Sequence, residues 1–129
     1  MQNSQSKSVK VAAAAGTNSQ EYIYNDLGEV ARTEAFVIVP NVAITANDTD
    51  YITLTIKKGS TTLATQNTKI TGGAAMVAGT PITMTLGANG VGANLELASA
   101  GVFDVAVASS GAGKAYDFKV QCVLRGIRQ

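Results

Sequence analysis

The clearest pattern in the chain is a strict alternation of apolar and polar positions. In Asp50–Lys58, Ile52, Leu54 and Ile56 fall on one side, while Tyr51, Thr53, Thr55 and Lys57 fall on the other. A period of two with β-branched residues on both sides marks a half-buried strand. Lys58-Gly59-Ser60 then reads as a turn, and Thr61–Thr68 as the returning strand of a hairpin. Three later segments repeat the alternation: Ile82, Met84 and Leu86; Phe103, Val105 and Val107; and Tyr116, Phe118, Val120, Cys122 and Leu124. Ala35–Val39 is continuously apolar, which suits a strand covered on both faces and stopped by Pro40. Glu21–Tyr24 and Asn94–Leu97 are weaker candidates.

No window carries an apolar stripe at helical spacing, and Ala12–Ala15 offers only about one helical turn. About eight short strands separated by turns predict an all-β, antiparallel β-sandwich of jelly-roll or immunoglobulin-like Greek-key topology. The Cys…Trp…Cys marker of immunoglobulin domains is missing, because there is no Trp and one Cys. The first twenty residues are different in kind. Gln, Asn, Ser and Lys dominate Met1–Lys10, followed by a small-residue run to Gly16. Residues 1–20 are therefore expected to form an extended N-terminal arm, flexible or ordered by a partner, ahead of a β-sandwich domain over residues 21–129.

Candidate contact residues follow from this layout. The arm offers Lys7, Val9, Lys10 and Val11. The Gly- and Ala-rich loop Thr71–Thr80 offers Met76 and Val77 as exposed apolar groups, although ordinary turn chemistry explains most of its glycines. A second such loop, Gly87–Ala93, carries Val91. Past the last strand, Arg125 and Arg128 flank Ile127 and offer charge to a neighbouring subunit.

Composition narrows the function more by exclusion than by signal. Of 129 residues only 15% are charged and the net charge is +1. No molecular field draws such a chain towards nucleic acid or an anionic membrane, and weak self-repulsion favours association. No apolar stretch approaches the ~20 residues of a membrane span, and Lys10 interrupts the one run resembling a signal peptide. The single cysteine gives no intrachain disulfide, and alternation places Cys122 in the core as an inert thiol.

Catalytic readings fail on residue supply. There is no His, so the commonest general base and metal ligand is absent. Gly111-Ala112-Gly113-Lys114 has the end of a phosphate loop, but Ala108 and Ala115 stand where its other Gly and its Ser or Thr belong. A strand follows rather than a helix, so a hairpin turn explains it better. Asn47-Asp48-Thr49-Asp50 spaces oxygens as calcium loops do, without the Gly and Glu such a loop needs; an Asx turn accounts for it. Acid pairs such as Glu29 with Glu34, or Asp104 with Asp117, are explained by chance scatter over outward faces. We expect no enzyme, no cofactor and no metal.

One run carries a family resemblance. Within Val37–Thr65, Asp48-Thr49-Asp50-Tyr51, Thr53-Leu54-Thr55, Lys58-Gly59 and Thr62-Leu63-Ala64-Thr65 occur in order, and Leu95–Val107 continues the layout. The run resembles the small virion proteins of tailed bacteriophages that decorate or cement the capsid, some known as head fibres. The resemblance covers about half the chain and implies a β-sandwich that binds the major capsid protein, commonly as a homotrimer, on the capsid exterior after assembly in the host cytoplasm. It also implies terminal arms that reach neighbours, and it carries over no catalytic residues. The alternative is a tail, fibre or cell-surface module that recognises a host glycan or protein receptor, with Tyr22 and Tyr24, on one strand face, as its best aromatic candidates.

Overall fold

A computed structural model describes residues 4–127. Its strands are β1 (Ser4–Ala13), β2 (Ser19–Tyr24), β3 (Ala31–Arg32), β4 (Val37–Pro40), β5 (Tyr51–Lys58), β6 (Thr61–Asn67), β7 (Ile82–Thr83), β8 (Glu96–Leu97), β9 (Val102–Ser110) and β10 (Tyr116–Gly126). One 3-10 turn, Gly92–Leu95, precedes β8, and there is no α-helix among the described residues.

The strands form two antiparallel sheets. In the one called here the terminal sheet, β10 is flanked by β1 along ten paired residues and, on its other edge, by both β4 and β3. β4 pairs with β7 and β3 with β8, so β3 and β4 act as one interrupted strand, and β7 and β8 as another. The threonine sheet has the order β2-β9-β5-β6. Counted this way, eight strands lie in the orders first-last-third-sixth and second-seventh-fourth-fifth. That is the jelly-roll arrangement, which settles the choice left open by the sequence.

Both sheets are built as the alternation dictates. Ile52, Leu54 and Ile56 of β5, Phe103, Val105 and Val107 of β9, and Phe118, Val120 and Leu124 of β10 are buried in one core. Phe36, in the gap between β3 and β4, meets Phe103 edge to face at 5.1 Å, tying the sheets together. The β5–β6 hairpin turns on Gly59 at φ +61°, and a bulge after Ile56 lets adjacent Leu63 and Ala64 both point inward.

Three departures from the sequence reading concern strands and turns. The segment expected as an arm is, from Ser4 to Ala13, an edge strand of the sandwich. Its inward positions Val9, Val11 and Ala13 are small or β-branched and lie opposite Val120, Phe118 and Tyr116 of β10, so pairing satisfies its backbone and buries Val11. Only Ile82 and Thr83 of the expected Pro81–Leu86 strand pair within the terminal sheet; Leu86 bridges to Ala64 of the other sheet. Gly111–Lys114 is a turn with positive φ at Gly111 and Gly113, yet it joins β9 and β10 across the two sheets rather than closing a hairpin.

Candidate docking surfaces

Polar chemistry that resembled a site in the sequence turns out to hold loops in place. Asn47 Oδ1 accepts hydrogen bonds from the Thr49 and Asp50 amides, which is the Asx turn. Asp50 Oδ1 accepts from the Ala112 amide at 2.8 Å, clamping the Gly111–Gly113 turn; a Cβ at Gly111 would strike this carboxylate and the Thr49 carbonyl. The Asp48 carboxylate accepts from both the amide and the hydroxyl of Thr71, and these bonds hold its pKa below the usual aspartate value. Among the described residues no three His, Cys, Asp or Glu converge as a metal site would require. Asp104 and Asp117 point away from opposite faces of the sandwich, so they cannot flank one substrate. Burial pushes the Cys122 thiol up to about 11, leaving it protonated at neutral pH.

What remains is surface. On the outer face of the terminal sheet, strand register sets charges of one sign side by side. Lys10 of β1 lies directly opposite Lys119 of β10, and Arg32 of β3 directly opposite Arg125 of β10; all four are exposed. Lys10 reaches Asp117 at 3.9 Å, but among the described residues no carboxylate comes within ion-pair distance of Lys119, Arg32 or Arg125. Where β3 gives way to β4, the sheet leaves a hollow of about 210 Å³, lined in part by Ser6, Ala35, Val37, Val123 and Arg125. Val123 is exposed beside it.

The outer face of the threonine sheet is organised differently. Thr53, Thr55 and Lys57 of β5 stand along a shallow trough that also takes in Gln20 of β2 and Ala106 and Ala108 of β9. Lys57 lies opposite Asp104, and Gln20 Nε2 donates to Asp104 Oδ2 at 2.7 Å. Tyr22 and Tyr24 sit on this face of β2, each about half exposed (51% and 50%).

The residues singled out from the sequence do not form one site. Val9 and Val11 face the core, half-buried and buried respectively, so they are not available to a partner. Lys7 also points inward and pairs with Asp26 at 2.6 Å, which lowers the Asp26 pKa. Met76 is buried rather than exposed (2%), because its backbone bridges to Ile44 and turns the side chain into the core. Val77 is exposed at the same end of the sandwich as Val42 and Ile70. Lys10 and Arg125 do share a face, the outer face of the terminal sheet. Arg128 lies outside the described residues. Sequence reasoning missed Arg32 and Lys119; the outward phase of Lys119 in β10 was visible, but its neighbour Lys10 could be found only once β1 was known to pair there.

No protein-family model matches this sequence, and no curated protein sequence does. Among solved structures, the chain resembles one in the cyanophage Pam1 capsid asymmetric unit, with a TM-score of 0.54 and 16% identity over 98% of this chain and 86% of that one. The likeness is one of fold. It runs nearly end to end in both chains, so the two share the whole sandwich and not a fragment of it. A chain of infectious bursal disease virus Gt strain gives a TM-score of 0.36 and 11% identity over 96% of this chain and 31% of that one, too low for a common fold to be read from it.

Proposed function

We propose that this chain is a structural, non-enzymatic virion protein: a capsid decoration or cement subunit that binds the major capsid protein lattice from outside, as a homotrimer, and stabilises the shell. The observation that carries the reading is the end-to-end fold likeness to a chain of a phage capsid asymmetric unit. Its support in the molecule is a closed core with tethered end loops, in which the conspicuous polar groups hold backbone in place. Such a subunit acts by mass action. If it binds the assembled shell and not loose capsid protein, each bound copy adds its binding free energy to the assembled state, and linked copies add avidity.

The test is stoichiometry on virions. Protein added to purified capsids lacking it should co-sediment at a fixed ratio per capsid subunit, appear as ordered density on the shell exterior, and raise the temperature of capsid disruption. Density confined to the tail, or no binding at all, would overturn the reading. The half-exposed Tyr22 and Tyr24 favour one second reading, a receptor-binding module of a tail, fibre or cell surface. In that case a glycan-array signal should vanish in a Tyr22→Ala/Tyr24→Ala variant that still folds.

A further inference from the structure

Two like-charge pairs on one face are a cost that the isolated chain offsets only in part. Like charges directly opposite each other across antiparallel strands repel, and here the arrangement occurs twice, at Lys10–Lys119 and at Arg32–Arg125. The acids nearby relieve it incompletely. Asp117 accepts from the Asn41 side chain through one oxygen and reaches Lys10 at 3.9 Å through the other. Glu96 lies opposite Arg32 beyond ion-pair distance, and Glu34 lines the hollow without reaching either arginine, so Lys119, Arg32 and Arg125 have no carboxylate within ion-pair distance among the described residues. Lys119 and Arg125 stand six positions apart on β10, roughly 20 Å at strand rise. Between them the face turns neutral and partly apolar, with Gln121 beside half-buried Val37, then exposed Val123 and the hollow left by the β3–β4 break.

From this geometry we infer that the outer face of the terminal sheet docks an acidic protein surface, whose carboxylates pair with the cations at both ends while an apolar side chain seats in the hollow. Charge complementarity selects the occupant. Arginine forks favour planar carboxylates, and a central apolar anchor ringed by polar contacts is how protein interfaces concentrate affinity. A nucleic acid would use the cations but has no apolar group to fill the hollow between them, and a patch of four positive charges with three acids among them is a poor polyanion track. The inference rests on the capsid reading only for the partner's identity. Its test uses the free protein, so either can fail alone.

The probe is a synthetic peptide with two pairs of glutamates spaced six residues apart around a leucine, titrated into isotope-labelled full-length protein at about 50 mM salt, where screening is weak. Amide shifts should concentrate on β1, β3 and β10 around Lys10, Arg32, Lys119, Val123 and Arg125. Lys119→Glu and Arg125→Glu should each weaken binding roughly tenfold or more, whereas Lys114→Glu, in the β9–β10 turn, should not. Replacing the leucine by glycine should weaken binding with the charges unchanged. Absent shifts, shifts spread equally to Lys69 and Lys114, or a duplex DNA that displaces the peptide from the same residues would each overturn the inference. All four cationic side chains are exposed, so a folded spectrum for each variant separates lost docking from lost structure.

Discussion

The two outer faces of this sandwich rest on one core and follow different rules. On the threonine sheet, cross-strand neighbours compensate: Lys57 faces Asp104, Gln20 bonds Asp104, and Thr55 faces Thr65. On the terminal sheet, the neighbours at either end are cation against cation, with a hollow between. The first face is arranged as a solvated pleat would be if stability alone mattered. The second keeps cation beside cation at two separate rows, relieved only by Asp117 near Lys10 and Glu96 opposite Arg32. Because the same chain balances its charges on one side and only partly on the other, the difference is what the proposed docking of a partner on the second face would explain.

That comparison is meaningful only if both faces share a core and β1 belongs to it, and the largest predicted effects test this. Deleting residues 1–13 should abolish cooperative unfolding, because β10 would lose the strand paired along ten of its residues and the cover over Val120 and Phe118. A truncated protein that melted like the full chain would restore the reading of this segment as a dispensable arm. Phe103→Ala should cost about 3–5 kcal/mol in denaturant unfolding, since the ring is fully buried against Phe36 and joins the two sheets. Both faces should be lost in a single transition.

A smaller effect tests the corner between the sheets. Asn25 is buried after β2; its side-chain nitrogen donates to the carbonyls of Glu29, Leu97 and Ala98, and its oxygen accepts from the Leu27 amide. Asn25→Ala would strand those groups in the interior and should cost about 1–3 kcal/mol. A loss below a few tenths would mean that water replaces the side chain there.

How much of this was legible in the sequence depended on where the deciding contact lies. β5, β9 and β10 announce themselves, because large apolar residues alternate without interruption and burial follows the alternation. β1 hides in the same code: its inward positions are Lys7, Val9, Val11 and Ala13, each of them small, β-branched or charged, in a run that composition marks as polar. Met76 looked exposed because its neighbours are Gly, Ala and Val; the Ile44 bridge that buries it joins loops 32 positions apart. The docking face was least legible of all. Lys10 and Lys119 are each ordinary outward residues, and only the pairing of the first strand with the last makes them neighbours.

The smallest predicted effect sharpens the comparison most, because its sign differs between the faces. Lys119→Glu places an acid opposite Lys10 and should raise stability by about 0.2–1 kcal/mol. Asp104→Lys places a cation opposite Lys57 and removes the acceptor of Gln20, so it should lower stability by a similar or larger amount. Added salt should shrink both changes, more for exposed Lys10 and Lys119 than for half-buried Lys57 and Asp104, because screening acts on attraction and repulsion alike and is weaker for partly buried charges. Measured by thermal unfolding at low and high salt, the pair isolates what each sheet does with its charges. Should Lys119→Glu prove destabilising, the cations of the terminal sheet would already be satisfied within the chain, and the argument that a partner must relieve them would fall.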